Sequence, residues 1–107
     1  MSWSIEITKE AQAEIRALPA DMQARFLHIA ELLQTLGLHQ VREPHVKPLG
    51  NKLWEMRMRG KDGIARAIYF AATGRRLIVV HAFVKKTQKT PAGAIALALK
   101  RMQEVSS

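Results

Sequence analysis

Apolar residues recur along this chain with two different spacings. Between Thr8 and Gly37 they fall every three or four positions, which is typical of helices that bury one face. The pattern predicts one helix from Thr8, as its N-cap, to Leu18 and a second that stops at Gly37, with Pro19 either ending the first helix or opening the second. Residues 3–7 alternate apolar and polar side chains and predict a short strand. The first part of the chain is therefore predicted as a strand followed by a helical hairpin.

From residue 53 onward the apolar spacing shortens to two, which is typical of strands. Three strands are predicted, at residues 53–59, 64–72 and 76–84. Short connectors that contain glycine separate them and suit antiparallel hairpins. Before them, residues 38–52 hold two prolines and a Gly-Asn turn signal, and are predicted as a loop. After them, Thr90 as N-cap and Pro91 at the first helical position predict a final helix.

This order of elements, with strands grouped after helices, predicts an α+β fold. We expect an N-terminal strand and helical hairpin packed on a small, mainly antiparallel twisted sheet, with a helix at the C-terminus. The 107 residues suffice for one hydrophobic core but not for two, so residues 1–107 are predicted to be a single domain. The sequence shows neither a signal-peptide pattern nor an apolar run near the roughly 20 residues of a membrane helix, and we expect a cytoplasmic protein.

Basic charge is concentrated in the predicted strands. Residues 47–89 hold eleven of the seventeen Lys and Arg residues and only two carboxylates, a net charge of +9, whereas residues 1–46 carry −2. The whole chain carries +8. A polyanionic partner is indicated, and nucleic acid is favoured over a membrane because the helices are the least basic elements. We therefore expect a surface that binds phosphate groups.

The strand that begins at Leu53 combines an apolar face with a charged face. Its period of two places one polar set on a single face: Glu55, Arg57 and Arg59. The apolar set on the other face is Trp54, Met56 and Met58. We expect the apolar set to contact the helices and the polar set to face outward. The alternative is an ordinary solvated face with cross-strand ion pairs.

Three residues of the following strands have two possible interpretations each. Arg66 lies among apolar neighbours, where an unpartnered guanidinium is costly. It either pairs with an acid such as Glu55 or sits at the edge of a cleft awaiting phosphate, and we favour the cleft. Tyr69 is either a core side chain or an aromatic ring on which a nucleobase stacks. His81 is better explained as a hydrogen-bonded core histidine than as a proton-transfer group.

These residues suggest a reaction that needs no metal and no cofactor. RNA can be cleaved by its own 2′-hydroxyl if the protein supplies a base, cations for the phosphate oxygens and a proton for the leaving 5′ oxygen. Glu55 is the candidate base, and Arg57 and Arg66 are candidates for holding the phosphate. One lysine of the connector before the final helix is expected to neutralise or protonate the leaving group, and the sequence does not rank the three candidates: Lys85, Lys86 and Lys89. Further RNA contacts are expected from Lys52, Arg59, Tyr69 and Lys89. With no cysteine, thiol nucleophiles and thiolate metal sites are excluded.

Three stretches of the sequence closely resemble the phage-derived, HigB-like branch of the RelE toxin superfamily. They run from Leu53 to Arg57, from Arg66 to Phe70 and from His81 to Pro91. The likeness extends over nearly the whole chain, and the run Phe-Val-Lys-Lys-Thr-Gln-Lys-Thr-Pro is its most specific part. It implies a RelE-like fold and a type II toxin that enters the ribosomal A site and cuts mRNA. It also implies a cognate antitoxin protein, expected to have a helix-turn-helix fold, that holds the toxin inactive.

The resemblance further implies roles for individual residues. Arg66 matches the phosphate-binding arginine of the middle strand, and Arg57 matches a basic position on the strand before it. Glu55 matches a position that is lysine in some members and a glutamate base in others. Lys85 and Lys86 fall where the superfamily places a basic group. Many relatives have a catalytic tyrosine or histidine near the C-terminus, but the segment after the last strand has neither, which leaves the general acid unassigned.

Two other functions are compatible with the same basic sheet. One is a non-cleaving RNA- or ribosome-binding module that blocks translation by occupancy. The other is a non-enzymatic regulatory protein that adjusts the DNA binding of its antitoxin.

Overall fold

A five-stranded sheet with helices on both faces organises the protein in the computed structural model. The structure describes residues 3–37, 40–41, 45–85 and 90–106. The elements in chain order are β1 (Ser4–Ile7), α1 (Lys9–Arg16), α2 (Ala20–Leu36), β2 (Val46–Gly50), β3 (Leu53–Gly60), β4 (Gly63–Ala72), β5 (Arg76–Lys85) and α3 (Ala92–Ser106). In the described part of the chain, none of the helices is both long and apolar enough to cross a membrane.

The strands lie in the order β1-β5-β4-β3-β2. β1 pairs with β5 in parallel, and the three other pairs are antiparallel. This arrangement confirms the predicted α+β fold with a mainly antiparallel sheet. The prediction that residues 38–52 form only a loop was wrong, because residues 46–50 form the edge strand β2. Pro48 argued against a strand here, because proline lacks an N–H and within sheets is confined to edge strands and bulges.

Local interactions account for the ends of the helices. The Thr8 hydroxyl accepts a hydrogen bond from the Ala11 N–H at 3.2 Å, which confirms Thr8 as the N-cap of α1. α2 ends before Gly37, whose φ of 88° suits a residue without a side chain. The predicted start of α3 was wrong by one residue. The Pro91 carbonyl accepts the first hydrogen bonds of this helix. The Thr90 hydroxyl instead forms hydrogen bonds with two side chains of the sheet.

The sheet separates two hydrophobic cores, so the expectation that 107 residues suffice for only one core was wrong. The larger core lies between the sheet and the α1–α2 hairpin and includes Met22, Phe26, Ile29, Leu33, Met56, Met58 and Tyr69. The smaller core lies under α3 and includes Leu53, Ile68, Phe70, Ile78, Val80 and Ala98. β4 contributes to both cores because successive side chains of a strand point to opposite faces. By the same alternation, its Arg66 points to the face that α3 covers.

Two side chains form hydrogen bonds with the backbone of β5 just beyond the part of its edge that pairs with β1. β1 pairs with β5 only as far as Val79. Beyond it, Arg101 Nη1 donates to the Val80 carbonyl at 2.9 Å, and the Ala82 N–H donates to Glu14 Oε1 at 3.1 Å. Glu14 and Arg101 also form an ion pair at 2.9 Å. α1 and α3, which pack on opposite faces of the sheet, are thereby joined at its edge.

This network stabilises the Glu14 carboxylate. Burial by itself raises the pKa of Glu14, but hydrogen bonds from Arg101, His81 and the Ala82 N–H outweigh burial and hold the pKa below its usual value of 4.5. His81 Nδ1 lies 3.1 Å from Glu14 Oε1, which confirms the predicted hydrogen bond, but His81 is only partly buried and the prediction of a core position was wrong. The fold therefore favours the ionised form of Glu14.

Lowering the pH is expected to destabilise the protein partly through Glu14. Because its pKa is lower in the folded than in the unfolded protein, Glu14 stabilises the fold above pH 4.5, and this contribution is lost as the pH falls through the folded-state pKa. Urea unfolding between about pH 6 and about pH 3 measures the loss. Glu14→Gln should show a shallower fall than the wild type, whereas the control Glu10→Gln, at an exposed position of α1, should match the wild type. Equal slopes for all three proteins would contradict this expectation.

Candidate active site

β3 and β4 bring the predicted catalytic residues together on the face that α3 covers. Arg57 and Arg66 occupy directly opposed positions of the antiparallel pair. Glu55 lies two residues before Arg57 and therefore points to the same face. Like charges that face each other across a sheet are destabilising. Glu55 supplies the counter-charge for both arginines.

The Glu55 carboxylate contacts side chains from three segments of the chain. Its Oε2 lies 3.4 Å from Arg57 Nε and 3.8 Å from Arg66 Nε. Its Oε1 accepts a hydrogen bond from the Thr90 hydroxyl, which in turn accepts one from Arg66 Nη1 at 3.2 Å. We call Glu55, Arg57, Arg66 and Thr90 the arginine cluster. It links β3, β4 and the segment that leads into α3.

The inner part of the arginine cluster is closed to solvent. The Arg66 side chain is 0% exposed and that of Glu55 is 1% exposed, whereas 19% of the Arg57 side chain is exposed. The prediction that the polar face points outward was therefore wrong for Glu55. Arg66 pairs with Glu55 and does not line an open cleft, so the interpretation that we favoured from the sequence was also wrong. The physical reason is that Thr90 and α3 cover this face, which the pattern of a strand does not reveal.

Burial also affects the acidity of Arg66. Loss of water lowers the pKa of its guanidinium, Glu55 raises this pKa and Arg57 lowers it, so the net change is downward. Because an arginine guanidinium is a very strong base, the group stays charged at neutral pH. A buried charge of this kind depends on its partner, since an uncompensated buried charge costs several kcal/mol.

Tyr69 belongs to the larger core and not to the arginine cluster. It lies on the opposite face of β4, toward the α1–α2 hairpin, and is 0% exposed. Burial raises the pKa of its hydroxyl. A fully buried ring cannot stack on a nucleobase. The prediction that Tyr69 contacts RNA was therefore wrong, and Tyr69 is a core residue.

Of the other predicted residues, Arg59 and Lys85 lie in one row of the sheet, because both pair with the same residue of β4, whereas Lys52 lies apart from them. Arg59 is exposed near the end of β3, on the charged face. Lys52 lies in the β2–β3 turn, seven positions away, which is roughly 23 Å along an extended strand. Lys85 is exposed at the end of β5. Lys86 and Lys89 lie outside the described residues, so their roles stay predictions.

A cavity beside Arg57 contains two basic residues that the sequence analysis missed. Its volume is about 150 Å³, and it is lined by Arg25, His45, Arg57, Arg59 and Ile64. Arg25 comes from α2 and His45 from the turn before β2. Neither residue stands out in the sequence, because an exposed helix arginine and a loop histidine occur on many protein surfaces. Only the tertiary structure brings them next to Arg57.

Comparison with known proteins identifies the family. The family model of the phage-derived Gp49-like proteins matches residues 13–103, a range that includes the whole arginine cluster. The chain belongs to the Gp49-like family. This match confirms the phage-derived family to which the sequence motifs pointed. No curated protein matches the sequence significantly.

The Gp49-like protein also shares its fold with RelE toxins of known structure. A mutant of the E. coli toxin RelE in the free state aligns with a TM-score of 0.70 at 15% identity, over 95% of this chain and 99% of that one. The RelE–RelB complex from Pyrococcus horikoshii gives 0.60 at 21% identity, over 83% and 100%. The toxin–antitoxin complex RelBE2 from Mycobacterium tuberculosis gives 0.59 at 18%, over 79% and 100%. These similarities confirm the RelE-like fold.

The arginine cluster of this Gp49-like protein is suited to binding a phosphate group through Arg57. A guanidinium presents a planar pair of N–H donors that match two phosphate oxygens. Arg57 reaches solvent, while Glu55 lies behind it and contacts both Arg57 and the buried Arg66. Among the described residues, no group of three or more His, Asp or Glu side chains is arranged to hold a metal ion. The chemistry that these residues offer is cationic binding of phosphate beside a carboxylate.

Proposed function

We propose that this Gp49-like protein is the toxin of a type II toxin–antitoxin system and cleaves mRNA on the ribosome. The family and the RelE-like fold support the assignment as a toxin. The observation that carries the proposal is the position of Arg57, which joins the buried Glu55–Arg66 pair to an open cavity with two further arginines. A phosphodiester that docks there meets several cations at once.

The proposed reaction is an attack of the RNA 2′-hydroxyl on the adjacent phosphate. A base removes the hydroxyl proton, the oxygen bonds to phosphorus, and the bond between phosphorus and the 5′ oxygen breaks. The 5′ oxygen takes up a proton, so the products are a cyclic phosphate and a 5′-hydroxyl. Arg57, which forms an ion pair with Glu55, stabilises the charge that builds on the phosphate oxygens. Lys85 and Lys86 are proposed to neutralise the leaving group.

Glu55 is the proposed base, and its burial sets a condition on this role. Its carboxylate contacts Arg57, Arg66 and the Thr90 hydroxyl and is 1% exposed. RNA reaches Glu55 only if the contact with Thr90 opens on the ribosome. If the contact stays closed, the protein binds RNA without cutting it. The burial of Glu55 therefore favours one alternative, a non-cleaving RNA- or ribosome-binding protein that blocks translation.

A cognate antitoxin is the proposed protein partner. The M. tuberculosis structure is a toxin–antitoxin complex, and the P. horikoshii structure is a complex of RelE with RelB. For this chain we propose an acidic antitoxin with a helix-turn-helix fold, because an uncovered segment of net charge +9 binds RNA non-specifically. The proposed site of action is the cytoplasm, where the toxin meets translating ribosomes and mRNA.

Brief induction of the protein without its antitoxin, followed by transcriptome-wide mapping of mRNA 5′ ends, tests the proposed cleavage. We expect new 5′ ends within translated frames, because the reaction depends on the ribosome. Arg57→Ala should remove these ends, since Arg57 is the cluster residue that reaches the phosphate. Arg16→Ala, which removes an exposed arginine from α1, is the matched control and should leave the ends unchanged.

Other results of the same experiment point to the alternative functions. Arrested translation without new 5′ ends would contradict cleavage and establish the blocking function. Unchanged growth would contradict both and favour a regulatory protein that acts only through its antitoxin. Ends outside translated frames would show cleavage without dependence on the ribosome.

A further inference from the structure

The cavity beside Arg57 lies where the strand pairing on this side of the sheet ends. β2 pairs with β3 as far as Met56, and the Arg57 N–H then donates to the His45 carbonyl at 2.9 Å. In the part of the chain that the structure describes, no strand pairs with this edge of β3 beyond that point. Arg25 and Arg59 flank the same open edge. The cavity is therefore built around an end of β3 that can admit a ligand.

Contacts between α2 and the β3–β4 turn keep Arg25 beside the cavity. The Asp21 carboxylate accepts a hydrogen bond from the Lys61 N–H at 2.8 Å. At Gly60 the approach is so close that a Cβ atom would lie 2.8 Å from Asp21 Oδ2 and 2.8 Å from Met22 Cγ. Arg25 follows Asp21 by one helical turn. The position of Arg25 is thus set by the packing of its helix against the sheet.

Among the described residues, the cavity holds more positive charge than nearby carboxylates neutralise. Three of its five lining residues are arginines. Within the described residues, no carboxylate forms an ion pair with Arg25 or Arg59. Glu55, which contacts Arg57, is buried behind it and also contacts Arg66. Guanidinium groups gathered around a cavity match an anion with several oxygens, and phosphate is such an anion.

We propose that this cavity binds a second phosphate of the RNA strand, next to the phosphate held for cleavage. The inference rests on the proposed RNA substrate and adds a subsite to it. The guanidinium groups of Arg25 and Arg59 bind the phosphate oxygens, and the His45 ring donates a hydrogen bond to them. Two phosphates held at once fix the position and direction of the strand, so that the 2′-hydroxyl is aligned with the phosphate on Arg57. Arg25 and His45 are binding residues in this scheme and take no part in proton transfer.

Binding of a single-stranded 2′-O-methyl oligoribonucleotide, which cannot be cleaved through its 2′ oxygen, tests the subsite. Fluorescence anisotropy at several salt concentrations measures both the affinity and its salt dependence. Arg25→Ala is expected to weaken binding about tenfold and to lower the slope of log affinity against log salt by about 0.7, because one charged phosphate contact is lost. The matched control Arg16→Ala, at an exposed position of α1, should change neither quantity. His45→Ala should weaken binding with a smaller change in slope.

The possible results separate this subsite from the proposed function. Equal affinities and slopes for the wild type, Arg25→Ala and His45→Ala would overturn the subsite, whether or not the wild type cleaves mRNA. Weaker binding by these variants, with no cleavage by the wild type, would support the subsite and contradict the cleavage. A competition experiment with inorganic phosphate is the last measurement. If free phosphate binds as tightly as the oligonucleotide and requires Arg25, the cavity is a site for a free anion and the assignment to RNA is overturned.

Discussion

Replacement of Arg66 by methionine is expected to lower the free energy of unfolding by about 3–5 kcal/mol. The Arg66 side chain is 0% exposed, and that of its partner Glu55 is 1% exposed. Methionine fills much of the space but leaves the Glu55 carboxylate buried with less compensating charge. The hydrogen bond from Arg66 to Thr90 is lost as well. Urea unfolding followed by circular dichroism measures the change.

A double variant is the control for this result. Glu55→Leu combined with Arg66→Met removes both charges and should recover most of the lost stability, because apolar replacement of a buried ion pair is often neutral. A loss below about 1 kcal/mol for Arg66→Met alone is the size found for surface ion pairs, and would mean that water reaches this pair in solution. Glu55 would then be accessible to RNA. The expected large loss means instead that an Arg66 variant fails through unfolding and is a poor test of catalysis.

Arg57→Ala is expected to reduce the rate of mRNA cleavage about 10²–10³-fold while the protein stays folded. Its side chain is 19% exposed and lines the cavity, so it is the cluster residue that can contact the scissile phosphate. Glu55 keeps Arg66 and Thr90 as partners in this variant, which limits the loss of stability. Single-turnover cleavage of mRNA on programmed ribosomes, with the protein at saturating concentration, measures the rate of the chemical step.

Two further variants separate charge from geometry. Arg57→Lys keeps the positive charge but loses the planar pair of donors, so its rate should lie between those of Arg57→Ala and the wild type. Arg59→Ala removes a cation from the proposed second subsite and should weaken binding more than it slows cleavage. Cleavage by Arg57→Ala at the wild-type rate, with unchanged stability, would show that Arg57 does not contact the scissile phosphate.

The local structure of this protein could be predicted because it depends on residues that are neighbours in the sequence. The Thr8 hydroxyl caps α1 through an N–H only three residues away. The alternation in residues 53–59 defined both the strand and its two faces. β2 could not be recognised in this way, since Pro48 and Gly50 are typical of a turn and its stability comes from pairing with β3. The partner strand is brought next to β2 only by the fold. The sequence of the five β2 residues does not reveal it.

The sequence by itself determined which residues could share a site, and the tertiary structure decided what surrounds them. The period of a strand placed Glu55 and Arg57 on one face, and the excess of basic residues between 47 and 89 pointed to a phosphate partner. The alternation of side chains along a strand does not reveal which face of the strand another element covers. The packing of α3 and the contact from Thr90 bury Glu55 and Arg66, and the packing of α2 brings Arg25 to the open edge of β3. Burial and charge proximity depend on contacts between residues far apart in the chain, and these are set only when the helices pack on the sheet.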